Sequence, residues 1–390
     1  MPSLYFDHNA TTFVAPEVAS LYFSALTEVA GNASSVHRAG QTAKQHLESG
    51  RRTVAAWLRA APQELVFTSG GTESNNLALL GLVRNLPRPS KHVVTTAIEH
   101  PSVLEPCRQL EREGVDVSYV TPGPEGIIAP ESILREIRPT TVLVSVMHAN
   151  NETGTLQPLA EIAERTHRLG QQGIYLHSDG VQAFGKTGAD VVQLGIDLYS
   201  LSGHKIFAPK GIGALFVRKG TPLKGIQFGG RHERERRAGT ENVPGVMALA
   251  EAARLCTGPG NEATAALRDR FEQEILAAVP DVTVNGSLMM RLPNTSNLLF
   301  SGVSGEALVI ALDMKGIAVS SGSACSSGSV EPSHVLLAMG LTPAEARSSV
   351  RFSFGRYNTA EEVDILMEAV ISAVRQLRRH TQKEQSLVAV

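Results

Sequence analysis

Between about residues 60 and 220 the chain alternates short apolar runs with longer amphipathic stretches. Glu64–Thr68, His92–Thr96, Val115–Val120, Thr141–Met147, Ile174–His177, Leu198–Leu201 and Ala214–Val217 have the length and bounding turns of strands. Helical runs lie between them. Gly70, Gly71 and Thr72 open one, and Pro101 stands where a second begins that Gly114 stops. Pro158 opens a third, in which Leu159, Ile162, Ala163 and Leu169 share a face. Strands separated by helices predict an α/β fold: a mostly parallel sheet with helices on both faces. After a helical stretch from Val243 to about Leu255, residues 257–260 read as a boundary. Beyond it, Val282–Val284, Ser296–Phe300 and Val350–Phe354 read as strands, and Thr359 to about Arg379 as a helix. This part predicts a smaller α+β domain, followed by a polar, frayed tail after His380.

In open parallel sheets ligands bind beyond the carboxyl ends of the strands. Gly70 to Thr72, His100, Asn151, Asp179 and Ser202 to Lys205 all follow directly on a predicted strand. They are therefore the candidates for one site.

Composition narrows the classes. The 390 residues carry a net charge of −2, which gives no electrostatic reason to expect a nucleic-acid partner. The densest basic run, Arg231 to Arg237, is interrupted by two glutamates and reads as a solvated loop. No uninterrupted apolar stretch is long enough for a membrane span, and the start lacks the basic-then-apolar pattern of a signal peptide. Three scattered cysteines, Cys107, Cys256 and Cys325, suit a reducing cytoplasm. They form neither a disulfide framework nor a zinc site.

The candidate residues suggest a chemistry. Most lysines are solvated surface charges. Lys205, however, follows Ser200, Ser202, Gly203 and His204, which offer hydroxyls and an imidazole beside an amine. That set suits a pyridoxal-phosphate (PLP) site, where a lysine holds the cofactor covalently. Asp179 can cap a following helix or keep a pyridine nitrogen protonated, and Gln182 can reach a ring hydroxyl. The glycine turn at 70–72 offers free N–H groups to a phosphate. It matches neither a nucleotide P-loop nor a dinucleotide fingerprint. His100 is either a satisfied structural histidine or an imidazole stacked on a planar ring. Arg351 is either a surface residue or a carboxylate clamp on a strand. Cys325 sits among serines and glycines rather than apolar neighbours, which suits an exposed nucleophile on a mobile loop. Cys107 and Cys256 read as structural.

From Tyr5 to about Arg379 the chain resembles the NifS/IscS-type cysteine desulfurases, within the class-V aminotransferase superfamily. The matching stretches are Asp7 to Thr12, Gly31 to His37, Phe67 to Asn75, Glu99 to Pro101, Ala149 to Gly154, Ser202 to Lys205, Arg237 to Asn242 and Ser320 to Pro332. The last of these and Arg237 to Thr240 look closest to the NifS branch. The resemblance implies fold type I of the PLP-dependent transferases, with a mostly parallel seven-stranded sheet. It implies a large domain over 14–256, a small one from 1–13 and 257–380, and a flexible tail over 381–390. Lys205 would hold PLP, His100 would stack on it, and Asp179, Asn151 and Gln182 would contact its ring. Gly71, Thr72, Ser202 and His204 would bind the phosphate, together with Thr240 from the neighbouring subunit of a homodimer. Asn32, Asn151 and Arg351 would bind L-cysteine. Cys325 would take its sulfur as a persulfide and pass it to an acceptor, an iron–sulfur scaffold protein above all. No intrinsic metal is implied; the persulfide would meet an iron–sulfur cluster only transiently, on the scaffold. Selenocysteine lyases and other class-V aminotransferase-like enzymes share the lysine and aspartate but do not require Cys325. Three positions depart from the family pattern: His8 stands where Asn is usual, Ser326 follows Cys325 where Thr is common, and Gly180 replaces the usual Ala. The glycine is expected to loosen the strand end that carries Asp179.

Overall fold

The computed structural model describes residues 4–169, 173–256, 260–321 and 331–388, with side chains through residue 380. The chain starts with β1 (Leu4–Tyr5), α1 (Pro16–Glu28) and α2 (Arg38–Trp57). The alternating region follows as β2 (Leu65–Thr68), α3 (Gly71–Val83), β3 (His92–Thr96), α4 (Pro101–Arg112), β4 (Asp116–Val120) and α5 (Pro130–Glu136). It continues through β5 (Thr141–Ser145), α6 (Leu159–Arg168), β6 (Tyr175–Asp179), β7 (Leu198–Ser202) and β8 (Gly213–Val217). Then come α7 (Val243–Leu255), α8 (Gly260–Ala278), β9 (Val282–Val284), β10 (Thr295–Phe300), α9 (Gly305–Asp313) and β11 (Ile317–Ala318). The chain ends with α10 (His334–Ala338), α11 (Pro343–Arg347), β12 (Ser349–Ser353) and α12 (Ala360–Val388).

Strands β2 to β8 form one seven-stranded sheet in the order β2-β8-β7-β6-β5-β3-β4. Only β8 runs against its neighbours, pairing antiparallel with β2 and β7. The expected mostly parallel α/β sheet is therefore present. Alternate residues feed two apolar cores. Leu65, Phe67, Val94, Val144 and Phe216 pack into one, and Val66, Val93, Leu143, Leu215 and Val217 into the other. Successive strand side chains point to opposite faces, so these are the two faces of a sheet covered by helices on both sides. Helices α1 and α2 lie before the alternating pattern begins. They pack on α7, which belongs to the first core.

A second group of elements has its own core. Strands β9, β10 and β12 form an antiparallel sheet, and Phe271, Phe300, Phe352 and Phe354 pack together with Phe6 from the other end of the chain. Strand β1 pairs in parallel with β11, with Leu4 opposite Ile317 and Tyr5 opposite Ala318. The final helix runs to Val388, past the stop that polar composition suggests at Arg379. Residues 381–388 contain neither glycine nor proline, so nothing in the backbone ends the helix earlier. Most of the boundary at 257–260 lies outside the described residues. Among the described residues no helix is long and apolar enough to cross a membrane.

Gly180 does not loosen the end of β6. Its N–H donates to Ser200 O at 2.9 Å, and a Cβ there would lie 1.9 Å from Cζ of Tyr199. Tyr199 is fully buried on the neighbouring strand, with its hydroxyl 2.9 Å from His148 Nδ1. The glycine is thus the space that the tyrosine ring occupies. Gly180→Ala should cost about 1–3 kcal/mol in denaturant melts, the usual penalty for overpacking. In a Tyr199→Leu background the same change should cost less, which a double-mutant cycle measures.

Candidate active site

A cleft of about 500 Å³ opens beyond the carboxyl ends of the parallel strands. Ten of the predicted site residues line it: Gly71, Thr72, His100, Asn151, Asp179, Gln182, Ser202, His204, Lys205 and Arg351. They come from positions up to 280 apart in sequence, from Gly71 to Arg351. Strand β6 ends at Asp179 and β7 at Ser202, so the fold delivers both side chains to the same rim.

The Lys205 amine donates to the backbone carbonyls of Asn9 and Ala10, each at 2.6 Å. Its position is therefore set by the Asp7 to Thr12 segment, a role that the sequence alone did not suggest. Asn9 and Ala10 also line the cleft. Thr11 Oγ1 lies 3.1 Å from His204 Nδ1, and Thr12 N donates to His204 O, so the same segment holds the residue before Lys205.

Asp179 is buried and both its oxygens are engaged. Asn75 Nδ2 donates to Oδ2 at 2.7 Å and Val181 N to Oδ1 at 2.9 Å. Asn75 Nδ2 also donates to Ser102 Oγ, which pairs with His100 Nδ1 at 2.8 Å. His100 caps α4 as well, because Nδ1 accepts from Ser102 N at 3.1 Å. A nitrogen that accepts carries no proton, so the neutral ring holds its proton on Nε2. Burial lowers the His100 pKa, opposed by Asp179 and reinforced by Lys205 and His334. Asn75 and Ser102 were not singled out from the sequence. A polar residue within the first five positions of each helix, just after a strand's carboxyl end, is the signal that points to them.

The amino end of α3 faces the cleft through Gly71 and Thr72. A Cβ on Gly71 would lie 2.5 Å from Val181 Cγ2, so only glycine allows this helix end to approach the β6 loop so closely. Helix N–H groups, the Thr72 and Ser202 hydroxyls and the His204 imidazole together make an anion cradle.

Arg351 is among the largest fully buried side chains, so the surface alternative is excluded. It donates to Asn151 O at 2.9 Å and pairs with Asp7 Oδ1 at 2.7 Å, while its buried Nε has no partner among the described residues. The guanidinium also lines the cleft, so it is the group there suited to a carboxylate. Two predicted residues do not line the cleft. Asn32 and Thr240 are both exposed, and Asn32 Oδ1 accepts from Ser34 N at 2.8 Å. Cys325 lies outside the described residues. Cys107 is buried on α4, and burial pushes its thiol up to about 12.

The class-V aminotransferase family model matches residues 4–366. The chain belongs to that family. A cysteine desulfurase of Trichormus azollae is 44% identical over 382 residues, 97% of this chain and 94% of that one. The cysteine desulfurase IscS of Methanosarcina thermophila is 43% identical over 379 residues, 96% of this chain and 93% of its own. The solved structure of a NifS-like protein superposes with a TM-score of 0.90 at 33% identity, covering 96% of this chain and all of its own.

Beneath His100 lies a further buried acid, Glu99. Its Oε1 accepts from Thr96 Oγ1 and Met147 N, each at 2.8 Å, and its Oε2 has no partner among the described residues. Burial pushes its pKa up from 4.5 to about 8, with the charge of Asp179 adding to the shift. The folded state therefore holds a proton that the unfolded chain releases, and stability falls as pH rises between those two values. Glu99→Gln keeps the acceptor and removes the titration. Melts of wild type and variant from pH 5 to 9 should diverge as pH rises, with the variant gaining relative stability. Parallel curves would assign the pH dependence elsewhere.

Proposed function

We propose that this protein is a PLP-dependent cysteine desulfurase, releasing L-alanine from L-cysteine and leaving the sulfur on Cys325 as a persulfide. The observation that carries this reading is the meeting of Lys205, Asp179 and His100 in one cleft. The full-length similarity to desulfurases supports it.

The residues present fit the cofactor. The anion cradle at Gly71, Thr72, Ser202 and His204 suits its phosphate, and Asp179 suits its ring nitrogen. His100 would stack on the ring, and Asn151 and Gln182, which line the same cleft, would contact it. Thr240 is exposed, as a residue reaching the phosphate of a neighbouring subunit in a homodimer must be. When bound, PLP supplies an electron sink for the charge that develops on the substrate Cα.

The chain's own groups do the rest. Lys205 would hold the cofactor and, as the amine nearest the substrate Cα, would take the Cα proton at Nζ. Arg351, held in place by Asp7 and Asn151, would bind the substrate carboxylate in the cleft it lines. Cys325 thiolate attacks the substrate sulfur. The S–S bond forms as the Cβ–S bond breaks, and Cβ takes up a proton to give alanine. No outside oxidant is required. The persulfide then passes to an iron–sulfur scaffold protein in the cytoplasm.

Two variants test this. Lys205→Ala should abolish the visible absorbance of the PLP-loaded protein. Cys325→Ala should keep that absorbance but lower alanine release from cysteine by at least about 100-fold, the scale of losing an essential nucleophile. Undiminished alanine release would remove the persulfide step. Absence of the band in wild type would remove the cofactor.

A further inference from the structure

Lys205 forms part of two cavities. Besides the main cleft it lines a smaller one of about 40 Å³ behind it, and Lys186 lines only that second cavity. Lys186 retains some exposure as a residue, yet its ammonium end is enclosed. Its Nζ donates to Gln182 Oε1 at 2.8 Å and to Asn9 Oδ1 at 3.2 Å. The Gln182 amide donates in turn through Nε2 to Asn9 O at 2.9 Å, the same carbonyl that accepts from Lys205. Both lysines thus rest on one residue, Asn9, from opposite cavities.

This arrangement fixes which way Gln182 points. An ammonium can only donate and a backbone carbonyl can only accept, so the amide oxygen must face Lys186 and the amide nitrogen must face Asn9. The second hydrogen of Nε2 is then what Gln182 offers to the cleft it lines. A ligand atom meeting it must accept, so a ring oxygen there is favoured in its deprotonated form.

We propose that Lys186 is a second, non-contacting lysine of the active site: it locks Gln182 as a donor toward the cofactor's ring oxygen and sets a positive charge behind Lys205. The inference rests on the cofactor reading above. It assigns a positioning role, since Lys186 touches neither cleft nor ligand. The charges that face the pair are Arg351, His8 and Cys256 around Lys186, and Asp179, His100 and His204 beside Lys205. Burial, then the charges of Lys205 and Arg351, bring Lys186 down to about 7. Its charge is therefore partial at neutral pH and greatest below it.

Both effects disfavour a proton on the cofactor–lysine linkage: a positive charge repels it, and a donor on the ring oxygen weakens the acceptor that holds it. Removing them must raise the pH at which that linkage deprotonates. The test uses the full-length PLP-loaded protein and follows the visible absorbance from pH 5 to 9, beside melts of the unloaded form. Lys186→Met should shift the absorbance midpoint upward by about one unit, the scale of one nearby charge in a partly buried site. Lys186→Arg should return it toward wild type. Equal midpoints in wild type and Lys186→Met would overturn the proposal. So would an equal shift in both variants that tracks a lowered melting temperature, because that is repacking alone. If Lys186→Met gives no cooperative melt, Gln182→Leu decides: an upward shift supports the relay and an unmoved midpoint overturns it. A wild type without any band overturns the cofactor reading and this inference with it; a wild-type band with unshifted variants overturns this inference alone.

Discussion

The amine of Lys205 sits on two backbone carbonyls of a segment almost two hundred residues earlier. Those carbonyls can serve only if the chain near Asn9 crosses the end of the sheet in one fixed path. Asn9 shows how that path is enforced. Its N–H donates to Ser353 Oγ, its side-chain nitrogen to Asn151 O and Thr295 Oγ1, and its side-chain oxygen accepts from Lys186 and Asn294. Every polar atom of a buried residue is thereby matched, which is the condition for burying it cheaply. Asn9 ties the small sheet, through Thr295 and Ser353, to the loops of the large one, and the reactive amine is placed by that tie.

The surroundings of the amine are polar but largely buried, and burial lowers the imidazoles on either side of it. Asp179 keeps its acceptors filled by Asn75 and Val181, while His100 is pressed toward its neutral form by burial. His204 is lowered to about 4, first by burial and then by the neighbouring lysines. Fixed donors aimed at an anion, with imidazoles kept uncharged beside them, form a preorganised environment rather than a solvent-like one. Arg351 shows the same economy. Its pairing with Asp7 and its donation to Asn151 O fix a fully buried guanidinium at the edge of the cleft.

The sheet was legible because its strands carry a simple pattern of short, bounded apolar runs, and the site residues because they follow those runs. His92–Thr96 has the same bounds in the sequence reading and in the structure. What the sequence did not reveal is tertiary. Asn75 and Ser102 become meaningful only when α3 and α4 lie side by side, and Asn9 only when β1 reaches β11. Gly180 was misread for a related reason. Its significance lies in the ring of Tyr199 on the next strand, which no local rule about glycine contains. Asn32 and Thr240 mark another boundary: the resemblance names both, yet neither lines the cleft of this chain.

The return of the N-terminus to β11 and β12 also fixes a sequence of events during synthesis. Residues 4 to 12 leave the ribosome before the large sheet does, yet Asp7 pairs with Arg351, Asn9 with Thr295 and Ser353, and Tyr5 with Ala318. All strands of the seven-stranded sheet are made by Val217 and can pair while translation continues. Until β11 and β12 follow, β1 has no partner, and the carbonyls of Asn9 and Ala10 have not been fixed in the position that holds Lys205. A nascent chain can therefore pair the strands of its larger sheet well before it owns a finished pocket, and residues 4 to 12 are among the last to find their place.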